Sequence, residues 1–432
     1  MSKNKYIKAF IILTSLFFMW GLITVLVDSL IPRLKEIFEL TYFQAGLVQF
    51  AFFIAYGLVS IPAGNLLHKI GYKKGIILGL SIMGIGCLLF YPAASLRLFP
   101  LFILGYFTLA SGMTILQVAA NPYVTVLGDK KTASSRLNLS QAFNSLGTAI
   151  APALGAIFIL SDNIKSTKEI QNLTEESKIE YFIREANAVQ NPFVVLAIAL
   201  FALAIIVLFV KLPQLLNTEL KTNYGQVLKH KKLIYGALGI FLYVGAEVAI
   251  GSYLVNYFLN LNLNQIIIKT PFLNNIATSI LNADLNRIDA KGIVATFVVF
   301  YWSGAMIGRF VGSYLTTIFQ PHKVLKYFAV GAIMMIIISM STSGVVAMVS
   351  ILAVGLFNSI MFPTIFSIAI DGLGELKAQG SGILCTAIAG GAFIPPLFGL
   401  AVDLVDFKIA FVLVILCYGY IYFYSRKVNS LT

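Results

Sequence analysis

The chain has 432 residues, of which 59% are hydrophobic and only 11% are charged, and its mean hydropathy is +0.88. A soluble globular protein needs a more polar surface than this composition provides, so we predict an integral membrane protein. The net charge of +13 is distributed over short loops. This pattern is typical of membrane topology and gives no indication of a nucleic-acid partner.

Twelve apolar runs are long enough to cross about 30 Å of hydrocarbon, and we predict that each forms a transmembrane helix. They lie near residues 9–31, 43–66, 75–93, 99–126, 137–160, 190–211, 233–258, 291–318, 324–342, 345–370, 380–402 and 407–425. Alternate loops carry 20 of the 31 Lys and Arg residues, so we expect that side and both termini to be cytoplasmic. The predicted location is the cytoplasmic (inner) membrane.

A sequence pattern recurs in the two halves of the chain. An Asn-Pro dipeptide at residues 121–122 is followed by the pattern G-x-x-x-x-P-x-x-G at residues 147–155. In the second half, a Phe-Pro dipeptide at residues 362–363 is followed by the same pattern at residues 391–399. The fourth and fifth spans therefore correspond to the tenth and eleventh, which indicates an internal repeat.

This repeat predicts an all-α membrane protein whose twelve transmembrane helices form two pseudo-symmetric six-helix bundles. The bundles cover residues 1–211 and 233–432, and a basic cytoplasmic linker joins them at residues 212–232. A substrate site between the halves, near the middle of the membrane, is expected for transporters built in this way. The longer outer segments at 161–189 and 259–290 are polar enough for loops or surface helices.

Asp28 and Glu247 are the two acidic residues, of 18 in the chain, that lie within apolar runs. A charged side chain at the centre of a spanning helix costs about 2.5 to 3.5 kcal/mol, so it is retained where a cavity, a partner or a transported ion compensates. We predict that both residues couple transport to a cation, either by carrying a proton or by forming a sodium site. For Asp28, an ion pair with Arg33 near the outer interface is the alternative.

Polar residues within the apolar runs share helical faces. Gln117 and Asn121 are four residues apart, and Gln117 precedes Pro122 by five residues, as Asn358 precedes Pro363. Amides pair with sugar hydroxyls, and aromatic rings pack against the apolar face of a hexose. The predicted substrate-binding residues are Trp20, Thr24, Gln117, Asn121, Gln141, Asn144, Tyr243 and Asn358. Alternatively, such single polar side chains only join helices, at about 0.6 kcal/mol each.

Four sequence blocks lie at residues 116–128, 136–147, 241–252 and 363–367, the first of which reads LQVAANPYVTVLG. In this order they resemble the major facilitator superfamily, and specifically the glucose/galactose transporter branch of the fucose:proton symporter family. The resemblance covers the whole chain and implies hexose import by alternating access. It also implies sugar contacts at Gln117 and Gln141 and cation coupling at Asp28.

The chain departs from the fucose symporters at three positions. Gln117 stands where they carry Glu, Glu247 where they carry an amide, and Val27 where they commonly carry Asn. Because Gln117 cannot be protonated, Asp28 and Glu247 are the remaining coupling candidates. The departures weaken an assignment to fucose and leave both sodium and proton open as the coupling ion.

We predict a monomeric symporter that imports a hexose of the glucose/galactose type, driven by a sodium or proton gradient and without another cofactor. The alternatives are a proton-coupled L-fucose or related sugar symporter, and an uncoupled sugar uniporter or sensor. The sequence contains no G-x-x-x-x-G-K-[ST], G-x-S-x-G or H-E-x-x-H pattern, which argues against an ATP-driven pump and against an enzyme.

Overall fold

The computed structural model describes residues 3–37, 42–158, 174–213 and 224–430. Over these ranges the regular structure is helical. The helices are α1 (Lys3–Ile37), α2 (Tyr42–Ile70), α3 (Tyr72–Leu96), α4 (Phe99–Val126), α5 (Ala133–Phe158), α6 (Glu175–Phe209), α7 (Tyr224–Val227), α8 (Lys231–Asn260), α9 (Leu263–Lys269), α10 (Pro271–Leu281), α11 (Ala290–Ala295), α12 (Val298–Ile318), α13 (Pro321–Ser341), α14 (Gly344–Asn358), α15 (Met361–Ala369), α16 (Lys377–Thr386), α17 (Gly390–Leu404) and α18 (Phe407–Lys427).

Eleven segments in the described residues are long and apolar enough to cross a membrane. The predicted fifth span, helix α5, is not among them, because polar residues such as Asn138, Gln141 and Asn144 lower its hydropathy. Helix α5 is nevertheless 26 residues long. At 1.5 Å per residue this length is sufficient to cross about 30 Å of hydrocarbon.

Local chemistry sets several helix boundaries. The side chain of Thr174 accepts a hydrogen bond from Ser177 N and begins α6, and that of Asp406 accepts one from Ile409 N at 2.8 Å and begins α18. A single residue, Gly71, separates α2 from α3 and has φ 81°. Glycine adopts this left-handed conformation without steric cost, which permits so short a connection.

The described residues form two compact units. The first unit contains Met1–Ala133, Phe143–Lys229 and Gly372–Ala387. Within it, the backbone of Gly147 packs so closely on α1 that an added Cβ would collide with Phe18 O. Helix α16 belongs to this unit, and Ser381 Oγ donates a hydrogen bond to Val118 O on α4 at 2.8 Å.

The second unit contains Ser134–Ala142, His230–Asp371 and Ile388–Thr432. The first part of α5 belongs to it: Asn138 Nδ2 donates to Thr364 Oγ1 at 3.1 Å, and Ser313 Oγ donates to Ser135 O at 3.0 Å. These hydrogen bonds join α5 to α12 and α15 within this unit.

Helices α12 and α14 of the second unit are in close backbone contact. A Cβ added to Gly308 would collide with Leu356 O and with the side chain of Ser359, and one added to Gly355 would collide with Tyr301 O. The glycines of α12 therefore serve helix packing in this unit.

Several expectations can be compared with this architecture. The outer segment at 259–290 forms short helices, including α9 and α10, whereas 159–173 lies outside the described residues. Residues 214–223 of the predicted linker at 212–232 also lie outside them, and the predicted bundle boundaries stay a prediction. Arg309 lies within α12, nine residues before its end, and inside the predicted span at 291–318.

Candidate functional site: two polar clusters

In the first unit, Gln117 on α4 makes a hydrogen bond to a tyrosine on α2. Its Nε2 donates to Tyr56 Oη at 2.7 Å, and both side chains are buried. Tyr56 is 1% exposed and packs against Phe52, with ring centroids 5.5 Å apart. The bond places the amide NH2 group of Gln117 against α2, so its carbonyl oxygen faces away from Tyr56 Oη.

Two further predicted residues of the first unit, Trp20 and Thr24, lie on α1. Trp20 is buried, and its ring centroid lies 5.6 Å from that of Phe17. The half-buried Thr24 hydroxyl donates to Trp20 O at 2.8 Å and lies 3.7 Å from Met113 Sδ on α4. The structure therefore brings α1 and α4 together at Thr24, next to the buried ring of Trp20.

Three further predicted residues lie on α4 and α5. Asn121 and Gln141 are buried, and Gln141 falls in the part of α5 that belongs to the second unit. The half-buried Asn144 donates from Nδ2 to Phe17 O on α1 at 2.9 Å. This bond joins two helices, which is the structural alternative expected for a single polar residue in a membrane.

In the second unit, Asn358 on α14 makes the corresponding bond. Its Nδ2 donates to Tyr301 Oη on α12 at 2.6 Å, and both residues are fully buried. The ring of Tyr301 packs edge-on against Trp302, with centroids 5.1 Å apart. The Oδ1 atom of Asn358 is buried and makes no hydrogen bond of good geometry to the described residues.

Tyr243 and Glu247 lie beside each other, one turn apart on α8, close to this amide. Tyr243 is 1% exposed. Within the described residues, neither Tyr243 Oη nor the buried Glu247 Oε1 makes a hydrogen bond of good geometry, and the same holds for Tyr418 Oη on α18. A buried polar atom without a partner costs about 1 to 3 kcal/mol, so several together mark a place where a ligand, an ion or water can bind.

A positive charge accompanies Glu247. The Arg309 guanidinium on α12 acts electrostatically on Glu247 and on the hydroxyls of Tyr243 and Tyr301. Its Nε also donates to Ser359 O at 3.1 Å. A carboxylate within a spanning segment is far less costly with such a counter-charge nearby.

The structure adds functional candidates that the sequence did not indicate. The two clusters also contain Tyr56, Tyr301, Tyr418 and Arg309. The tyrosines did not stand out in the sequence because tyrosine is frequent in this chain. Tyr56 and Tyr301, the two tyrosines that bond amides, precede Gly64 and Gly308 by a similar number of residues. This similar spacing in the two halves was the one sequence signal that could have pointed to them.

The predicted coupling residue Asp28 lies on α1, and its side chain is outside the described part of the structure. Among the described residues, no three His, Cys, Asp or Glu side chains converge as metal ligands would. Within the second unit, Glu247 is thus a single carboxylate among neutral oxygens and one guanidinium.

The fold and these intramembrane polar clusters are those of a multi-pass membrane transporter. The sequence matches the Major Facilitator Superfamily over residues 9–396, and the chain belongs to this family. Its members are transporters, which agrees with the exclusion of an enzyme, and the prediction of the twelve-helix fold is confirmed.

Individual members of the family are similar to this chain over nearly its whole length. The chain is 47% identical to the glucose/galactose transporter of Brucella abortus, over 98% of this chain and 95% of that protein. It is 33% identical to the L-fucose-proton symporter of Escherichia coli, over 98% and 93% of the two chains. A crystal structure of the transporter FucP in the outward conformation superposes with a TM-score of 0.87 at 33% identity, covering 98% of this chain and 99% of that chain.

Proposed function

We propose that this protein is a symporter that imports a hexose of the glucose/galactose type by alternating access, coupled to a sodium or proton gradient. The observation that carries the proposal is the 47% identity, over nearly the whole chain, with a glucose/galactose transporter. The 33% identity with an L-fucose-proton symporter supports the alternative, a proton-coupled symporter of L-fucose or a related sugar.

In this proposal, neutral side chains bind the sugar. Amides such as Gln117 and Asn358 offer both donors and acceptors to neighbouring hydroxyls, and Trp20 offers an apolar ring face. Asn121, Gln141, Asn144, Thr24 and Tyr243 complete the proposed set. The two acids, Asp28 and Glu247, bind the coupling cation, and no other cofactor takes part.

The proposed setting is the inner membrane of a bacterium, with the protein acting as a monomer and both termini in the cytoplasm. The membrane potential then favours cation entry. One positive charge that crosses with 100 mV releases about 2.3 kcal/mol. At about 1.4 kcal/mol per tenfold, this is sufficient for a sugar concentration ratio of roughly fiftyfold.

The test of this proposal is uptake of labelled sugar into liposomes that contain the purified protein. Glucose, galactose and L-fucose are compared, each with an imposed sodium gradient, an imposed proton gradient or neither. We expect accumulation of glucose or galactose above equilibrium with one of the two gradients. Accumulation of L-fucose alone supports the alternative, and equilibration without accumulation in all arms contradicts coupling.

The role of Glu247 is tested by Glu247→Gln, which removes the charge and keeps the shape. We expect gradient-driven accumulation to fall at least tenfold, because the amide takes up no proton and offers a cation no negative charge, whereas sugar exchange between equal pools continues. Asp403→Asn, at an exposed position near the end of α17, is the matched control and should behave as the wild type. Normal accumulation by Glu247→Gln would contradict the coupling role.

A further inference from the structure

One arrangement occurs in both units: a buried tyrosine accepts a hydrogen bond from the side-chain amide of a predicted sugar-binding residue. The distances are 2.7 Å from Gln117 Nε2 to Tyr56 Oη and 2.6 Å from Asn358 Nδ2 to Tyr301 Oη. The tyrosines are 1% and 0% exposed. Each pair is complete within its own unit.

The two pairs occupy corresponding places in the internal repeat. Tyr56 lies eight residues before Gly64 on α2, and Tyr301 lies seven residues before Gly308 on α12. The amides Gln117 and Asn358 each lie five residues before a proline. Both partners therefore come from helices that correspond to each other in the two halves, so the recurrence follows the repeat.

The hydrogen bond fixes the direction of each amide. An amide NH2 group that donates to a phenol oxygen leaves the amide carbonyl pointing away from it, and the phenol retains its own proton to donate elsewhere. In the second unit this arrangement is seen directly, because Asn358 Oδ1 is buried and makes no hydrogen bond of good geometry to the described residues. Such an acceptor suits a sugar hydroxyl, which can donate to it.

The tyrosines themselves are held rigidly. Tyr56 packs against Phe52, and Tyr301 packs edge-on against Trp302. At Gly355, the backbone of α14 contacts Tyr301 O so closely that no side chain fits between the two helices. A binding group held by such packing loses less rotamer entropy when the ligand arrives.

We propose that Tyr56 and Tyr301 are repeat-related positioning residues, each of which turns the amide of Gln117 or Asn358 so that its carbonyl oxygen accepts a hydrogen bond from a hydroxyl of the sugar. The inference rests on the proposed function, and it adds two residues that act through the amides. It also predicts that each unit engages at least one sugar hydroxyl.

The test is the KM for sugar uptake of Tyr56→Phe and Tyr301→Phe in liposomes. Without the phenol oxygen, the amide is free to turn its NH2 group toward the sugar. We expect KM to rise about fivefold to tenfold with each variant, while the maximal rate changes less than twofold. One hydrogen bond is worth about 0.5 to 1.5 kcal/mol, which corresponds to a factor of this size.

Matched controls separate positioning from stability. Tyr123→Phe in the first unit and Tyr257→Phe in the second each remove a buried phenol that bonds outside the clusters, to Pro213 O at 2.6 Å and to Ser339 O at 3.1 Å. These controls should lower the melting temperature as much as the test variants do and leave KM unchanged.

A double variant gives a second readout. If Tyr56 acts through Gln117, the KM of the double variant Tyr56→Phe/Gln117→Met should exceed that of Gln117→Met by less than twofold. The same is expected when Tyr301→Phe is added to Asn358→Leu. Additive effects would overturn the proposal, as would a KM that is unchanged in both single variants. If the wild type transports no hexose, the proposed function fails first, and the inference fails with it.

Discussion

The polar clusters of the two units share one geometry and differ in charge. Each contains a buried tyrosine bonded to an amide, at corresponding places in the repeat. The described residues of the first cluster are neutral, whereas the second includes Glu247 and its counter-charge Arg309. The comparison indicates that the repeat supplies the same kind of hydrogen bond in each unit.

This difference separates two tasks. Neutral amides bind a sugar in the same way at any pH and any membrane potential, because they do not change ionisation. A carboxylate with a guanidinium nearby responds to both. Recognition can therefore be divided between the two units, whereas the charged groups described within the clusters, Glu247 and Arg309, belong to the second cluster.

The largest expected effect comes from separating Glu247 and Arg309. Arg309→Gln removes the positive charge that acts on Glu247 together with the Nε bond to Ser359 O, and a hydrogen bond from a charged group is worth about 1.5 to 3 kcal/mol. We expect a lower melting temperature in detergent for Arg309→Gln, and a partial recovery when Glu247→Gln is added. Arg309→Lys should be intermediate, since it keeps the charge and loses the Nε bond to Ser359 O.

The partial recovery of the melting temperature in the double variant would show that Glu247 and Arg309 are energetically coupled. If the double variant is no more stable than Arg309→Gln, the two side chains are not coupled. The second cluster would then resemble the first in its energetics, and the contrast between the units would have no functional meaning.

The second prediction tests the close packing that holds Tyr301. In Gly355→Ala, the new Cβ would collide with Tyr301 O, so α12 and α14 must separate. Overpacking of this kind typically costs about 1 to 3 kcal/mol, and we expect a lower melting temperature together with weaker sugar binding.

The control for this prediction is Gly419→Ala on α18, where no atom lies within 4 Å of the added Cβ. This substitution should be neutral or stabilise the helix by up to about 1 kcal/mol. An equal loss of stability in both variants would show that the contact with Tyr301 is not the cause.

The smallest effect is expected at Asn144, whose amide NH2 group is already used on Phe17 O. Asn144→Ala should reduce stability by about 0.6 kcal/mol, the usual value for a hydrogen bond between membrane helices. We expect KM to rise no more than about threefold, because only the carbonyl oxygen is left for the sugar. Thr148→Ala, which removes a bond within α5, is the control. A tenfold rise in KM would show that sugar binding, and not the bond between helices, is the main role of Asn144.

The fold was predictable because the signals for it are long and repeated. The apolar runs indicate where the transmembrane helices lie, and the recurring spacing of glycine and proline indicates that the chain consists of two related halves. The exception is α5, where polar residues such as Asn138 lower the hydropathy although the helix is long enough to span. The fifth span was nevertheless predicted from its own apolar run at 137–160.

The site was predictable only in part, because a sequence shows residue types and not their partners. Gln117, Glu247 and Asn358 were recognised as polar residues in an apolar context. Their partners, Tyr56 and Tyr301, are ordinary residues of spanning helices until the fold brings them within hydrogen-bond distance. Arg309 was not singled out from the sequence, and in the structure the glycine before it allows close contact between α12 and α14.

The unpaired oxygens of the second cluster have a consequence for attempts to engineer a more robust protein. Tyr243 Oη and Tyr418 Oη are buried and make no hydrogen bond of good geometry to the described residues. A search for heat-resistant variants would replace them with phenylalanine, since an unmet hydroxyl destabilises the resting molecule. Selection for transport works in the opposite direction, so these hydroxyls are a place where thermostability and turnover are expected to conflict.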